Sequence, residues 1–229
     1  MGFEQLEERL GVQFLDRSLL EQALSHRSAA EEGVAPTHNE RLEFLGDAVV
    51  QLCITELLYR RFGQAAEGDM SRIRARLVNK SFLASIGKGL DLGPLLLLGK
   101  GEDKDGREKA SLLADAFEAT MGALFLDRGM SVCQRVMAEH FDDALSGIVD
   151  PAGYGRHPKS ALQELTMEKW RQTPDYSLLE TSGPAHQRSF VFSVSLGDRE
   201  LARGEGHSTK EAQSRAARAA LVLLEEELT

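Results

Sequence analysis

An all-α domain followed by a small α+β domain is the fold that this sequence of 229 residues predicts. Three observations predict it. Apolar residues recur at the helical period up to about residue 148. The stretch SGIVDPAGYGRHPK, 146–159, mixes Gly with Pro and loses that period, as a linker does. Beyond it the period falls to two, with Phe190, Phe192 and Val194 alternating along one segment. The implied division is a helical domain over 1–148, a linker over 149–157 and an α+β domain over 158–229.

The elements follow in order. Asp16 is placed to cap a helix RSLLEQALSHRSA. Asn39 is placed to cap a long helix from Glu40 to about Phe62, with Arg60 and Arg61 at its negative end and Gly63 beyond. Asp69 is placed to cap a helix MSRIRARLVNKSFLASIGKGL. The polar segment GKGEDKDGREK, 99–109, reads as a loop. ASLLADAFEATMGALFLDRG and MSVCQRVMAEHFDDALSGI read as two further helices, and no strand is expected before residue 150. After the linker come a helix SALQELTMEKW, three strands YSLLETSG, SFVFSVSL and RELARGEG, and a last helix opened by the capping box STKE, 208–211. That α-β-β-β-α order is an antiparallel sheet with helices on one face.

Charge narrows the function classes. The formal net charge of −9 excludes a generally basic nucleic-acid binder, so any such contact must be local. Residues 1–150 hold 17 Lys+Arg against 25 Asp+Glu, a balance of −8; residues 151–229 hold 10 against 11, a balance of −1. Cys53 and Cys133 lack metal-ligand spacing and read as buried free thiols in a reducing compartment. The N-terminus MGFEQLEERL shows no secretory pattern, and Leu6 rules out a myristoylation site at Gly2. The aliphatic run LLLL, 95–98, is far too short to span a bilayer, so a cytoplasmic protein with no membrane partner is expected.

The stretch HNERLEFLGDAVV, 38–50, raises the chemical question. Turning 100° per residue from Glu40, Glu43 falls at about 300° and Asp47 at about 340°, so the three acids share one edge. Leu42, Leu45, Ala48, Val49 and Leu52 centre near about 150°, the expected core side. A solvated acidic face is the ordinary explanation. Yet Glu43 and Asp47 are an i,i+4 like-charge pair, which costs a helix a few tenths of a kcal/mol, and no lysine stands where it would relieve them. Phe44, a large ring beside the acids and off the core stripe, points to an interface.

The second acidic helix is more apolar. LLADAFEATMGALFL, 112–126, has only Asp115, Glu118 and Thr120 as polar side chains. Asp115 and Glu118 are i,i+3 on one face, which Gly122 continues without side-chain bulk. Buried carboxylates must be paired, protonated or metal-bound. Arginines such as Arg72 or Arg76 are one solution. The other is that this face packs on the first, so that Glu43, Asp47, Asp115 and Glu118 form an all-oxygen cage. Such a cage suits Mg²⁺ or Mn²⁺ and not zinc, and Mg²⁺ on carboxylates with open water positions serves phosphodiester hydrolysis. His26, His38 and His140 are scattered and read as caps or surface residues. No phosphate loop, nucleophile elbow or zinc spacing occurs.

HNERLEFLGDAVV closely resembles the signature of bacterial ribonuclease III. The resemblance extends to ALSHRS (23–28), EGDMSRIRARLVN (67–79) and SLLADAFEATMGALFLD (111–127), and the C-terminal seventy or so residues look like that family's double-stranded-RNA-binding domain. By resemblance the helical domain is a homodimeric endonuclease with one acidic site per subunit in a shared valley. Glu43, Asp115 and Glu118 match its metal ligands, and Asp47 and Glu118 its essential catalytic pair. Glu40 and Glu67 match acids that assist, and Phe44 a residue buried at the dimer contact. The implied cofactor is Mg²⁺, with Mn²⁺ able to substitute. The implied reaction hydrolyses both strands of an RNA duplex to 5′-phosphate and 3′-hydroxyl ends, in ribosomal and messenger RNA precursor processing.

The RNA-binding domain is expected to read A-form shape across the minor groove. Gln163 and Glu164 on its first helix, His186 at the end of the loop GPAH (183–186) and Lys210 at the start of its last helix match the contacts. Here the chain departs from the family pattern, because Thr209 and Gln213 stand where lysines are common. Lys210 persists, with Arg218 on the same face at i+8. A shallower salt dependence than that of basic relatives follows. The competing reading is a non-catalytic RNA-binding or ribosome-associated protein on the same fold. Degenerate relatives lose acids, whereas all four stand here, so the sequence favours the enzyme.

Overall fold

A computed structural model describes residues 2–149, 151, 154, 157–184 and 188–228, Glu225 by its backbone alone. The chain folds as two units, Met1–Tyr154 and Gly155–Thr229.

The first unit is helical. Its elements are α1 (Phe3–Leu10), α2 (Arg17–Ala23), α3 (Arg27–Glu31), α4 (Glu40–Arg61), α5 (Glu67–Leu77), α6 (Lys80–Gly89), α7 (Ala110–Arg128) and α8 (Met130–Ser146), with short 3₁₀ turns at Gly93–Leu95 and Gly106–Glu108. Among the described residues its only β pairing is an isolated bridge between Ser25 and Leu97. Asp16 caps α2 as expected, accepting from the Ser18 N–H at 2.9 Å. The Phe141 ring packs at a tilt against both Phe82 and Phe117, joining α6, α7 and α8, and Cys53 and Cys133 are free and buried.

Four expectations need correction. The helix expected over RSLLEQALSHRSA breaks at Ser25, where His26 accepts from the Ser28 N–H and caps α3. The helix expected from Met70 onward is two helices: Asn79 accepts from the Phe82 N–H at 2.9 Å and starts α6 afresh. Asp69 lies inside the first turn of α5, buried and paired with Arg72. Asn39 stands at the N-cap of α4 but does not cap it. Its side chain turns inward and donates to the Ala23 carbonyl at 3.3 Å.

The core stripe of α4 also lies elsewhere. Leu42, Gly46, Val49, Val50, Cys53, Ile54 and Leu58 are buried, a stripe centred near about 250° on the same wheel. Ala48 and Leu52 are exposed and Leu45 half-buried. They join Phe44, 83% exposed, and Tyr59, 72% exposed, in an uncovered apolar band. The pattern was ambiguous because α4 is apolar on two faces.

The second unit has α9 (Pro158–Trp170), β1 (Asp175–Ser182), β2 (Ser189–Leu196), β3 (Arg199–Gly206) and α10 (Thr209–Leu228). The strands form an antiparallel sheet in the order β1-β2-β3. Phe190 pairs with Gly206, and Phe192 with Gly204. A Cβ on either glycine would meet the backbone of α10 at Ala212 or Ala216. These glycines let α10 lie against the sheet, over Leu162, Val194 and Leu201. The Ser208 hydroxyl accepts from the Glu211 N–H at 3.2 Å and opens α10, as the capping box predicts.

Candidate active site

The site is built where α4 crosses α7. The crossing is close because it runs through two glycines. A Cβ on Gly46 would collide with the Glu118 carbonyl, and one on Gly122 with the Leu42 carbonyl. Residues one turn to either side are brought together by that approach. From Leu112 to Leu124 every residue of α7 is buried except Asp115 and Glu118, which are half-buried. The α7 acids therefore emerge from an apolar helix where Glu43 and Asp47 of α4 line the same edge.

Carboxylate oxygens of Glu43, Asp115 and Glu118 lie within 4.8 Å of one another. Asp47 flanks them, and both its oxygens accept from the Gln51 amide, at 2.9 and 3.0 Å. Burial pushes the Glu118 carboxyl up to about 7, and the charges of Asp47, Asp115 and Glu43 push it the same way. Burial also raises Glu43, with Asp115 adding to the effect. The arginines considered for pairing are elsewhere: Arg72 pairs with Asp69, and Arg76 stacks over the Tyr154 ring at 5.7 Å. The cation that does reach the cluster is Lys80, whose ammonium lies 3.2 Å from Asp115.

The residues present fit a hard divalent cation. Three carboxylates converge from two helices, two of them held above their ordinary pKa by crowding and burial, and an oxygen-only donor set suits Mg²⁺ or Mn²⁺. The two flanking acids lie differently. Glu40 pairs with Arg27 at 3.4 Å, and His38 Nδ1 lies 3.7 Å from its other oxygen. Glu67 accepts from the Ser71 hydroxyl at 2.6 Å and lines a separate groove with Thr55, Tyr59 and Arg74. Within one chain, Glu67 is thus not brought to the cluster. Phe44 itself lines a groove of about 600 Å³, together with Leu19, Gln22, Glu40, Leu45 and Leu126.

In the second unit Gln163 and Glu164 are exposed on α9, and Lys210 is exposed on the first turn of α10. His186 lies outside the described residues. Lys210 and Arg218 line a concavity of about 370 Å³ with His157, Ser214 and Arg215. Arg215 pairs with Glu211 at 2.6 Å. Lys159 donates to Gln213 at 2.7 Å and lies over the Tyr176 ring, so a cation from α9 reaches the position where the family pattern often has a lysine.

The Ribonuclease-III-like family model matches residues 16–144, and the double-stranded RNA binding motif matches residues 158–224. The chain belongs to the ribonuclease III family. Ribonuclease 3 of Magnetococcus marinus is 43% identical over 230 residues, covering 97% of this chain and 93% of that one. Ribonuclease 3 of Oleidesulfovibrio alaskensis is 44% identical over 227 residues, covering 98% and 99%. A crystal structure of the ribonuclease III nuclease domain of Campylobacter jejuni is 40% identical, with a TM-score of 0.58, covering 62% of this chain and 95% of that one. A second structure of that domain, TM-score 0.57 and 40% identical, covers 62% and 99% and is described as flexible in a region involved in dimer formation. The chain is a double-stranded-RNA endoribonuclease.

Sequence reasoning missed three contributors. Gly46 carries no side chain, so charge and hydropathy patterns give no signal of its close approach to α7. Lys80 lies far from the acids along the chain, and spacing carries no signal of tertiary proximity. Lys159 supplies from another helix a charge that α10 lacks.

Proposed function

We propose that this ribonuclease III hydrolyses RNA duplexes with Mg²⁺ held by Glu43, Asp115 and Glu118, with Mn²⁺ able to replace it. The observation that carries this is the convergence of those three carboxylates within 4.8 Å at a glycine-mediated helix crossing. When bound, the ion supplies water ionised near neutral pH and neutralises charge on the leaving oxygen. Asp47, its oxygens fixed by Gln51, orients the attacking water beside Glu118. Glu118 would hold the ion as a carboxylate, beside Glu43 and Asp115. Attack at phosphorus with loss of the 3′ oxygen leaves 5′-phosphate and 3′-hydroxyl ends. Glu40, paired with Arg27, and Glu67 assist from outside the cluster.

The reading extends to assembly. We assign residues 1–148 to the nuclease domain, 149–157 to the linker and 158–229 to the RNA-binding domain. The exposed band of α4 supports a homodimer in which Phe44 enters the partner's groove beside Leu126. A two-fold contact of this kind presents one surface to its own copy. Gln163, Glu164, His186 and Lys210 contact the duplex. Ribosomal and messenger RNA precursors in the cytoplasm are the natural substrates. No helix of the described residues is long and apolar enough to cross a membrane.

Incubation of a long RNA duplex with the protein and Mg²⁺ tests the reading on a denaturing gel. Wild type should cut it to short fragments, while Glu118→Ala and an EDTA-treated sample should bind it and cut at least about 1,000-fold more slowly. Binding without cutting by the wild type would instead establish the non-catalytic alternative.

A further inference from the structure

We propose that Lys80 is an exchangeable counter-ion of the acidic cluster, seated at Asp115 in the metal-free site and released to a phosphate of the RNA duplex when a divalent ion binds. The inference rests on the reading of Glu43, Asp115 and Glu118 as metal ligands.

Placement is the first support. Among the described residues Lys80 is the one cation in an ion pair with the cluster, 3.2 Å from Asp115. Its charge also favours the ionised forms of Glu43 and Glu118. Asn79 fixes the backbone at this point by capping α6.

Exposure is the second. The Lys80 side chain is 60% exposed and that of Asp115 24%. An ammonium this wet is weakly held by one carboxylate, and a divalent ion carries twice its charge into the same field. The four-carbon stem lets the ammonium leave while its Cα stays in place. A duplex phosphate drawn to the ion is the anion that arrives as the carboxylate is taken, and a flexible point charge suits it.

A permanent brace between α6 and α7 is the plain alternative, but α6 is already held by other contacts. Gly87 of α6 lies close against the Leu113 carbonyl, and Phe82 packs against Phe141, which also meets Phe117 of α7.

Lys80→Met keeps the stem and removes the charge, and Lys80→Arg keeps the charge. Mn²⁺ binding to the full chain is measured without RNA, from the free-ion signal in electron paramagnetic resonance. Duplex cleavage is then measured at saturating Mg²⁺. Lys80→Met should bind Mn²⁺ about three- to tenfold more tightly and lose about tenfold in kcat/KM, with Lys80→Arg close to wild type in both. A Lys80→Met variant with unchanged or weaker Mn²⁺ binding, or with wild-type cleavage at saturating metal, overturns the proposal. A loss of thermal stability that is equal with and without Mn²⁺, with binding and cleavage unchanged, also overturns it in favour of the brace. Wild-type protein that binds no Mn²⁺ overturns the metal reading as well; normal wild-type binding that Lys80→Met leaves in place overturns the counter-ion alone.

Discussion

Glu118 is the residue whose surroundings are most at odds with its ordinary chemistry. It projects from an apolar helix toward three other carboxylates, and its pKa rises from 4.5 to about 7. Between those values the folded protein binds a proton that the unfolded chain has released. Stability therefore falls as pH rises through that window, and the whole cost is present above about 7. Converted directly, the shift is worth about 3 kcal/mol; because solvent still reaches the carboxyl, about 1–2 kcal/mol is the appropriate figure. Glu118→Gln removes the ionisation and should raise the metal-free melting temperature at pH 8 by about 2–6 °C. At pH 4.5 it should change little. Saturating Mg²⁺ should reverse the order at pH 8, since only the wild type keeps the full ligand set. Calorimetry at the two pH values checks this, and equal shifts at both would remove the role given to the charge. Metal affinity in the wild type should also weaken below pH 7, because the ion competes with that proton.

At the scale of elements, the crossing of α4 and α7 sets the geometry. Alanine favours a helix over glycine by about 1 kcal/mol, so Gly46→Ala would stabilise α4 if it were isolated. Here the added Cβ meets the Glu118 backbone, and a backbone collision cannot be relieved by rotating a side chain. The helices must separate, at a net cost of about 3 kcal/mol or more, and cleavage should fall about 100-fold as the acids spread. Gly89→Ala, on a helix end with open space around it, is the control and should be neutral or slightly stabilising. Comparable melting temperatures for the two variants would mean that the crossing yields easily. This crossing also marks what the sequence could disclose. Unrelieved like charges on α4 and two lone acids on α7 made the cluster legible, because burial leaves carboxylates few solutions. Strict alternation at Phe190, Phe192 and Val194 made β2 legible. The break between α5 and α6 was hidden because Asn79 caps a helix inside a run with no Gly or Pro at that point. The buried stripe of α4 is not the one the pattern suggests, because Leu45, Ala48 and Leu52 are as apolar as core residues yet lie on the uncovered side of the helix with Phe44.

For the whole molecule, assembly and charge act together. The C-terminal unit has a balance of −1, and several of its arginines are engaged: Arg199 with Glu227, Arg203 with Glu200 and Arg215 with Glu211. Lys210 and Arg218 are the cations presented together along α10. A single unit that meets about two or three phosphates should show a slope of log affinity against log salt near about −2 to −3. A dimer carries two such units, and a duplex long enough for both turns the second encounter into an intramolecular one. The slope then approaches twice the single-unit value, and affinity rises without any new contact. Phe44→Asp places a charge in the exposed apolar band of α4 and should halve the mass seen by light scattering. It should also bring the salt slope on a long duplex down to the single-unit value. On a duplex of about 16 bp, the span of one such domain, wild type and variant should have the same slope. A variant that stays dimeric would move the dimer contact away from Phe44. A monomer that keeps the steep slope would mean that the nuclease domain supplies the missing phosphate contacts, despite its balance of −8 over residues 1–150.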